Sequence, residues 1–147
     1  MDSSKPAESS KPVDGACHCG AVRFTVKLTS GLDEPRRCNC SFCRMRGAVV
    51  VSARREDLAI TSGRDALRLY QFNTRQAEHF FCSVCGIYTH HRRRSNPDEL
   101  SINAACLAGV SPFDFECVPV YEGVVHPSDR PGGYQIAGNI RYESAPR

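Results

Sequence analysis

The chain has 147 residues, of which 41% are hydrophobic and 24% charged, the composition of a soluble globular protein with one domain. Its net charge of +3 is too small to indicate a nucleic-acid partner by itself. No run of about 20 apolar residues predicts a membrane span, and the first twelve residues lack the apolar stretch of a secretory signal. We therefore expect a cytoplasmic protein, and in that reducing compartment clustered cysteines bind metals more often than they form disulfides.

The first part of the chain alternates between polar and apolar character after a polar start. Residues 1–13 are rich in Ser, Lys and Pro, and we expect a disordered tail there. The alternation over residues 22–28 is typical of a half-buried strand, and the β-branched run at 48–51 predicts another. Residues 54–57 predict a turn or a single helical turn.

The second part of the chain continues with short strands. Those we predict cover residues 58–61, 67–72, 76–81, 87–91, 100–104 and 118–123. The third and fourth of them form a hairpin with a cysteine pair at its tip. No segment of ten residues has a convincing helical period, so we predict a mainly β, single-domain fold over 14–125. The glycine- and proline-rich segment 126–147 predicts irregular structure.

The cysteines are the most informative residues. The chain has nine, and seven of them fall into three short motifs, Cys17-His18-Cys19, Cys38-Asn39-Cys40-Ser41-Phe42-Cys43 and Cys82-Ser83-Val84-Cys85. A total of nine does not fit a complete disulfide framework, which needs an even number.

The two outer motifs together predict a structural metal site. In a strand, Cys17 and Cys19 would direct both sulfurs to the same side, and Cys82 and Cys85 have the spacing of a metal knuckle. A glycine follows each pair, where a left-handed residue turns backbone N–H groups toward the sulfurs. Four thiolates suit tetrahedral zinc, with Zn–S distances near ~2.3 Å. The other possible pairing joins the first motif to two of the middle thiols.

The middle motif differs, because no glycine closes it and arginines flank it on both sides. Cationic neighbours lower the pKa of a thiol and favour the thiolate. Three thiolates from Cys38, Cys40 and Cys43 would leave a fourth zinc position open, as in catalytic sites. The alternative is a second structural site that a distant histidine completes, and the candidates are His79, His90 and His91.

The three motifs resemble those of the glutathione-dependent formaldehyde-activating enzyme family, which includes centromere protein V. The matching segments are residues 15–24, 38–44 and 80–86, and weaker matches lie at 101–107 and 120–123. The resemblance covers about residues 14–125. It implies an Mss4-like, zinc-stabilised, mainly β fold.

The resemblance also implies an activity and its residues. A structural zinc would be held by Cys17, Cys19, Cys82 and Cys85. A second, exchangeable zinc on the catalytic residues Cys38, Cys40 and Cys43 would lie beside a glutathione site, where we expect Arg44 and Arg46. The implied activity is that of a carbon–sulfur lyase resembling S-(hydroxymethyl)glutathione synthase, which adds glutathione or a related thiol to formaldehyde or another small carbonyl. The alternative is a zinc-stabilised protein- or nucleic-acid-binding module without catalysis.

Four other features have interpretations of their own. His18 is expected to point away from the metal, and Cys106 and Cys117 to be small core residues. The arginine run 92–94 is most simply a solvated hairpin loop. Its functional interpretation is a clamp for glutathione carboxylates, and aromatic residues do not interleave with it as nucleic-acid binding would require.

Overall fold

The computed structural model describes residues 11–126, 129 and 131–146. Within these residues the chain is mainly β, as predicted. The strands are β1 Pro12–Ala16, β2 Arg23–Leu28, β3 Arg37–Cys38, β4 Val50–Ser62, β5 Leu67–Tyr70, β6 Glu78–Cys82, β7 Tyr88–Arg92, β8 Glu99–Asn103, β9 Cys117–Tyr121 and β10 Ile136–Arg141. The helices are α1 Ser41–Arg46 and three single 3₁₀ turns, Arg64–Ala66, Ala104–Cys106 and Pro112–Asp114. None of these described helices is long and apolar enough to cross a membrane.

The strands form two sheets. Seven strands make an antiparallel sheet in the order β1-β2-β4-β8-β7-β6-β5, and three make a smaller sheet in the order β10-β9-β3. In the smaller sheet β3 runs parallel to β9, with Cys38 opposite Tyr121. The larger sheet therefore carries the outer cysteine motifs, and the smaller one carries the start of the middle motif.

The core lies on one face of the larger sheet. The predicted alternation in β2 is confirmed, since Phe24 and Val26 are buried against Val51 and Ile102 from β4 and β8. Cys106 belongs to the same apolar cluster, as expected. Cys117 is half-buried in β9.

The turn that we expected at residues 54–57 is wrong, because β4 runs through it without a break. Residues 50–54 of β4 pair with β8, whereas residues 58–62 pair with β2. Two different neighbours thus keep a 13-residue strand extended across charged positions that favour a turn locally.

The expected boundaries of the domain also need correction. β1 begins at Pro12, and its first residues pair with Lys27 and Val26, so the expected tail over 1–13 is too long at its end. Residues 1–10 lie outside the described part. The segment 126–147, expected to be irregular, contains β10, which pairs with β9 along its length. The glycines of this segment favour a loop, so its sequence does not indicate the strand that pairs with β9.

The hairpin around the last cysteine pair is confirmed. β6 and β7 pair, and at the tip the N–H of Cys82 donates to Ile87 O at 2.9 Å, and that of Gly86 to Cys82 O at 2.8 Å. The middle motif, in contrast, enters the short helix α1. Cys40 caps this helix and Gly47 ends it with φ of 73°. Six residues are too few to show a helical period in sequence.

Candidate active site and metal centres

The outer motifs converge on one point. The sulfurs of Cys17, Cys19, Cys82 and Cys85 all lie within 4.8 Å of one another. Cys19 Sγ is 3.6 Å from Cys17 Sγ and 3.8 Å from Cys82 Sγ. Four converging thiols form the donor set of a tetrahedral zinc site, so this group could hold one zinc ion. We call it the four-cysteine cluster.

The first cysteine pair was expected in a strand, and this expectation is wrong. Cys17 and Cys19 lie in a turn after β1 and not in a strand. The glycines behave as predicted, since Gly20 and Gly86 both have φ of 80°, a conformation that glycine adopts without steric cost. His18 is exposed in the same turn.

Backbone N–H groups favour negative charge on these sulfurs. The N–H of Val22 donates to Cys17 Sγ, and that of Val84 donates to Cys82 Sγ, both at 3.3 Å. A backbone hydrogen bond from Cys19 lowers the pKa of the Cys85 thiol to about 6. Because the thiolate is the form that binds metal, these contacts prepare the cluster for a cation.

The middle motif forms a second group, the three-cysteine cluster. Its sulfurs, from Cys38, Cys40 and Cys43, also lie within 4.8 Å of one another. The N–H of Cys40 donates to Cys38 Sγ at 3.4 Å, and that of Cys43 to Cys40 Sγ at 3.3 Å. Side-chain hydrogen bonds with Cys38 and Cys43 lower the pKa of Cys40, whereas side-chain hydrogen bonds with Cys38 and Cys40 raise the pKa of Cys43. Negative charge is therefore most favourable on Cys40, at the start of α1.

No histidine joins this group among the residues that the structure describes. His79 Nδ1 is 3.0 Å from Arg46 Nη1, and His91 Nδ1 is 2.6 Å from the Tyr88 hydroxyl. His90 stacks on Phe80, with ring centroids 4.8 Å apart. The site that a histidine would complete thus has no support in the described part of the chain.

The three-cysteine cluster lines a pocket of about 600 Å³, bounded by β3, α1, the β7–β8 region and residues 121–126. This volume lies within the range of small-molecule sites. The four-cysteine cluster does not line it. The two clusters therefore differ in their relation to this pocket as well as in the number of cysteines.

Arg46 links the pocket wall to the cluster. Its guanidinium lies 3.7 Å from the centroid of the Tyr88 ring and 4.5 Å from that of Phe42, both cation–π contacts. Nη2 donates to Cys43 Sγ at 3.3 Å. Arg46 thus orients Cys43 from inside the wall, whereas Arg44 is exposed at the pocket.

The buried ring groups beside Arg46 are neutral near pH 7. Burial and the charge of Arg46 lower the pKa of His79 to about 4. Burial also lowers the pKa of His91 far below its usual value, and raises the pKa of the Tyr88 hydroxyl. Of these groups His79 and His91 line the pocket and give it neutral ring nitrogens, so the positive charge of its wall comes from the arginines.

The arginine run is not a solvated loop, and that interpretation is wrong for two of its members. The side chains of Arg93 and Arg94 are 17% and 16% exposed, and both line the pocket. Arg93 pairs with Glu99 at 2.5 Å, and Arg94 makes two bonds to Asp129, at 3.0 and 2.7 Å. The partner of Arg94 is 35 residues away in sequence, so the run alone did not reveal it.

Sequence reasoning missed two further parts of the pocket. Arg36, two residues before Cys38, lines it and donates to the hydroxyls of Ser52 and Ser101. For the flanking arginines the sequence predicts only an effect on thiol pKa, and nothing in the spacing singles out Arg36.

The second missed part is a contact between the cluster and the loop after β9. The N–H of Gly123 donates to Asn39 Oδ1 at 2.6 Å, and Asn39 Nδ2 donates to Glu122 Oε1 at 3.2 Å. A Cβ at Gly123 would lie only 2.4 Å from Cys38 Sγ, so only glycine fits without displacement. The weak family match at 120–123 was the one signal that pointed here.

Comparisons with known proteins agree with this geometry. The family model for the glutathione-dependent formaldehyde-activating enzyme matches residues 12–122. A Halomonas elongata protein that carries the provisional name glutathione-dependent formaldehyde-activating enzyme is 35% identical over 82 residues, 50% of this chain and 51% of the relative. The chain thus spans about half the length of that curated relative.

A solved structure gives a closer match in coverage. The crystal structure of a Rhodobacter sphaeroides protein is 55% identical, with a TM-score of 0.72, and the match covers 73% of this chain and 98% of that one. The family match, which extends over both cysteine clusters, assigns the family. The chain belongs to the glutathione-dependent formaldehyde-activating enzyme family and has its Mss4-like, mainly β fold.

Proposed function

We propose that this protein is a zinc-dependent, carbon–sulfur lyase-type enzyme that adds glutathione, or a related thiol, to formaldehyde or another small carbonyl compound. The observation that carries the proposal is the opening of the three-cysteine cluster into a pocket of about 600 Å³. Structural zinc sites use four protein ligands, whereas catalytic sites keep one position for a substrate. We place the reaction in the cytoplasm, whose reducing conditions keep both clusters as thiols.

The two clusters have separate roles in this proposal. The four-cysteine cluster holds a structural zinc, and Cys38, Cys40 and Cys43 hold an exchangeable one. When bound at the three-cysteine cluster, zinc would supply Lewis acidity toward a thiol or a carbonyl oxygen. The residues present fit this ion, because three thiols converge there and backbone N–H groups donate to two of them.

The protein's own groups orient the cluster and receive the thiol. Arg46 holds Cys43 by its hydrogen bond, and its positive charge favours thiolate at the cluster. Arg44, exposed at the pocket, is placed to contact glutathione, so the two arginines act differently. In the addition a carbon–sulfur bond forms and one proton passes from the sulfur to the carbonyl oxygen, with no change in oxidation state.

The test compares the parent with Cys43→Ser. We expect the variant to keep the fold and about one zinc per chain, since the four-cysteine cluster is intact. It should lose about tenfold or more in glutathione affinity, together with carbonyl turnover. The measurements are metal analysis before and after mild chelation, and calorimetric titration with glutathione. Cys117→Ser, outside both clusters, is the matched control.

Equal glutathione binding by parent and Cys43→Ser would remove the three-cysteine cluster from the mechanism. It would favour the alternative, a zinc-stabilised protein- or nucleic-acid-binding module. That module would use the arginine run 92–94 as its contact surface. Arg93 and Arg94 are mostly buried in ion pairs, which gives the alternative less support.

A further inference from the structure

Arg36 is fixed in the inner wall of the pocket. Its backbone N–H donates to Val50 O at 3.0 Å, and the N–H of Val50 donates back to Arg36 O at 2.9 Å. Its Nη1 and Nη2 donate to the hydroxyls of Ser52 and Ser101, each at 2.7 Å. Ser101 is only 2% exposed, so the guanidinium reaches deep into the protein.

In the described part of the chain, the hydrogen-bond partners of this half-buried guanidinium are all neutral. Among the residues that the structure describes, Arg36 takes part in no ion pair, whereas Arg93 and Arg94 bind Glu99 and Asp129. Burial of a charge without a counter-ion is costly. The two serine contacts use two of the five N–H donors of a guanidinium, and the others remain for an acceptor.

The pocket wall as a whole carries more positive than negative side chains. The charged residues that line it are Arg36, Arg37, Arg44, Arg46, Arg93, Arg94, Glu122 and Asp129. Six cations against two carboxylates favour an anionic ligand, and low-dielectric walls strengthen that preference. Arg36 and the three cysteines line the same continuous cavity.

We propose that Arg36 is the carboxylate-binding residue of this pocket and selects ligands that carry an acid group. This inference rests on the proposed function for the position of the reacting atoms, at the three-cysteine cluster. A guanidinium binds a carboxylate through two parallel hydrogen bonds, which a neutral amide cannot reproduce. The substrate class is therefore acidic thiols, or carbonyl compounds that bear a carboxylate.

The carboxylate belongs either to the thiol or to the carbonyl compound, and an experiment can distinguish these two sources. Glutathione carries carboxylates, and its diethyl ester replaces them with neutral esters. Glyoxylate is an aldehyde with a carboxylate, and formaldehyde is the neutral comparison. Calorimetric titration of each pair into the zinc-loaded parent, Arg36→Gln and Arg36→Lys measures the preference for acid over neutral ligand.

We expect the parent to prefer the acid of one pair by about tenfold or more, the range for a hydrogen bond to a charged group. Arg36→Gln should abolish that preference while its affinity for the neutral ligand stays unchanged. Arg36→Lys keeps the charge but lacks the planar fork, so it should retain only part of the preference. Arg54→Gln is the matched control, because it makes the same charge change on a side chain that is 64% exposed.

The pair that shows the effect identifies the source, glutathione for the thiol and glyoxylate for the carbonyl compound. An acid preference that survives in Arg36→Gln, or is absent from the parent, would overturn the inference. If Arg36→Gln fails to fold, Arg36→Lys decides, and a full preference there overturns the bidentate contact. A different result would contradict the proposed function itself, namely glutathione binding that is unchanged in Cys43→Ser.

Discussion

The four-cysteine cluster lies at two turns of the larger sheet, whereas the three-cysteine cluster lies where β3 passes into α1. In the first, Cys17 and Cys82 are buried and receive backbone N–H hydrogen bonds on their sulfurs, whereas Cys85 is half-buried and Cys19 is exposed. In the second, a guanidinium contacts Cys43, and the sulfurs line a large pocket. The same side chain thus serves two sites that differ in their surroundings, a pair of turns in one and a pocket wall in the other.

We expect the largest effect from a substitution in the four-cysteine cluster. Cys82→Ser should abolish cooperative folding, since structural zinc contributes about 10 kcal/mol or more in small zinc domains. Thermal unfolding followed by circular dichroism, with zinc analysis, measures this loss. Cys117→Ser should melt like the parent. A Cys82→Ser protein with the melting temperature of the parent would show that the four-cysteine cluster does not stabilise the fold.

A smaller effect concerns the β6–β7 hairpin, which contributes to both sites. Burial lowers the pKa of His90 from its usual 6.5 to about 4, so the unfolded chain binds the proton more strongly. Stability from this group is therefore present above about pH 6.5 and is lost as the pH falls toward 4. Between pH 7 and 5 the loss is about 2 kcal/mol for one such group.

The measurement is the free energy of unfolding of parent and His90→Gln in denaturant across this pH range. Both proteins release metal as their thiols protonate, so the difference between them isolates the histidine. We expect the parent to lose more stability than the variant by about 2 kcal/mol. Parallel pH profiles would show that His90 is not the acid-sensitive group.

We expect the smallest effect on stability from a substitution that disturbs the three-cysteine cluster alone, which separates the two clusters. In Gly123→Ala the new methyl group must displace Cys38 Sγ, 2.4 Å from the Cβ position. We expect about tenfold weaker retention of the exchangeable zinc against a chelator, with a change in stability of about 1–2 kcal/mol. Gly138→Ala is the control, because no heavy atom lies within 4 Å of its Cβ position. Equal zinc retention by both variants would contradict this role of Gly123.

The predictable parts of the fold are those that depend on local pattern. Alternation gave β2, and the glycine after each outer cysteine pair gave the left-handed turns at Gly20 and Gly86. The continuity of β4 was not predictable, because it depends on two neighbours that pair with its different halves. Helix α1 was not predictable because six residues do not show a helical period, and its capping cysteine is also a candidate ligand.

The candidate site divides in the same way. The cysteines are recognisable because metal ligands keep short, regular spacings. The contact between Arg36 and Ser101 spans 65 residues, and that between Asn39 and Gly123 spans 84. These contacts depend on which strands become neighbours, and a single sequence does not encode that in a local pattern.

The order of the cysteines along the chain has a consequence for how the protein responds to zinc supply. Cys19 and Cys82 are 63 residues apart, and the whole three-cysteine cluster lies between them. Closing a loop of that length costs about 4 kcal/mol of chain entropy. A metal bound at the four-cysteine cluster would offset this cost for the whole segment between Cys19 and Cys82. Under the proposed function, the three-cysteine cluster therefore depends on the four-cysteine cluster, and not the reverse. When zinc is scarce, we expect the protein to release zinc from the three-cysteine cluster first and keep its fold, so that resupply refills this site without refolding.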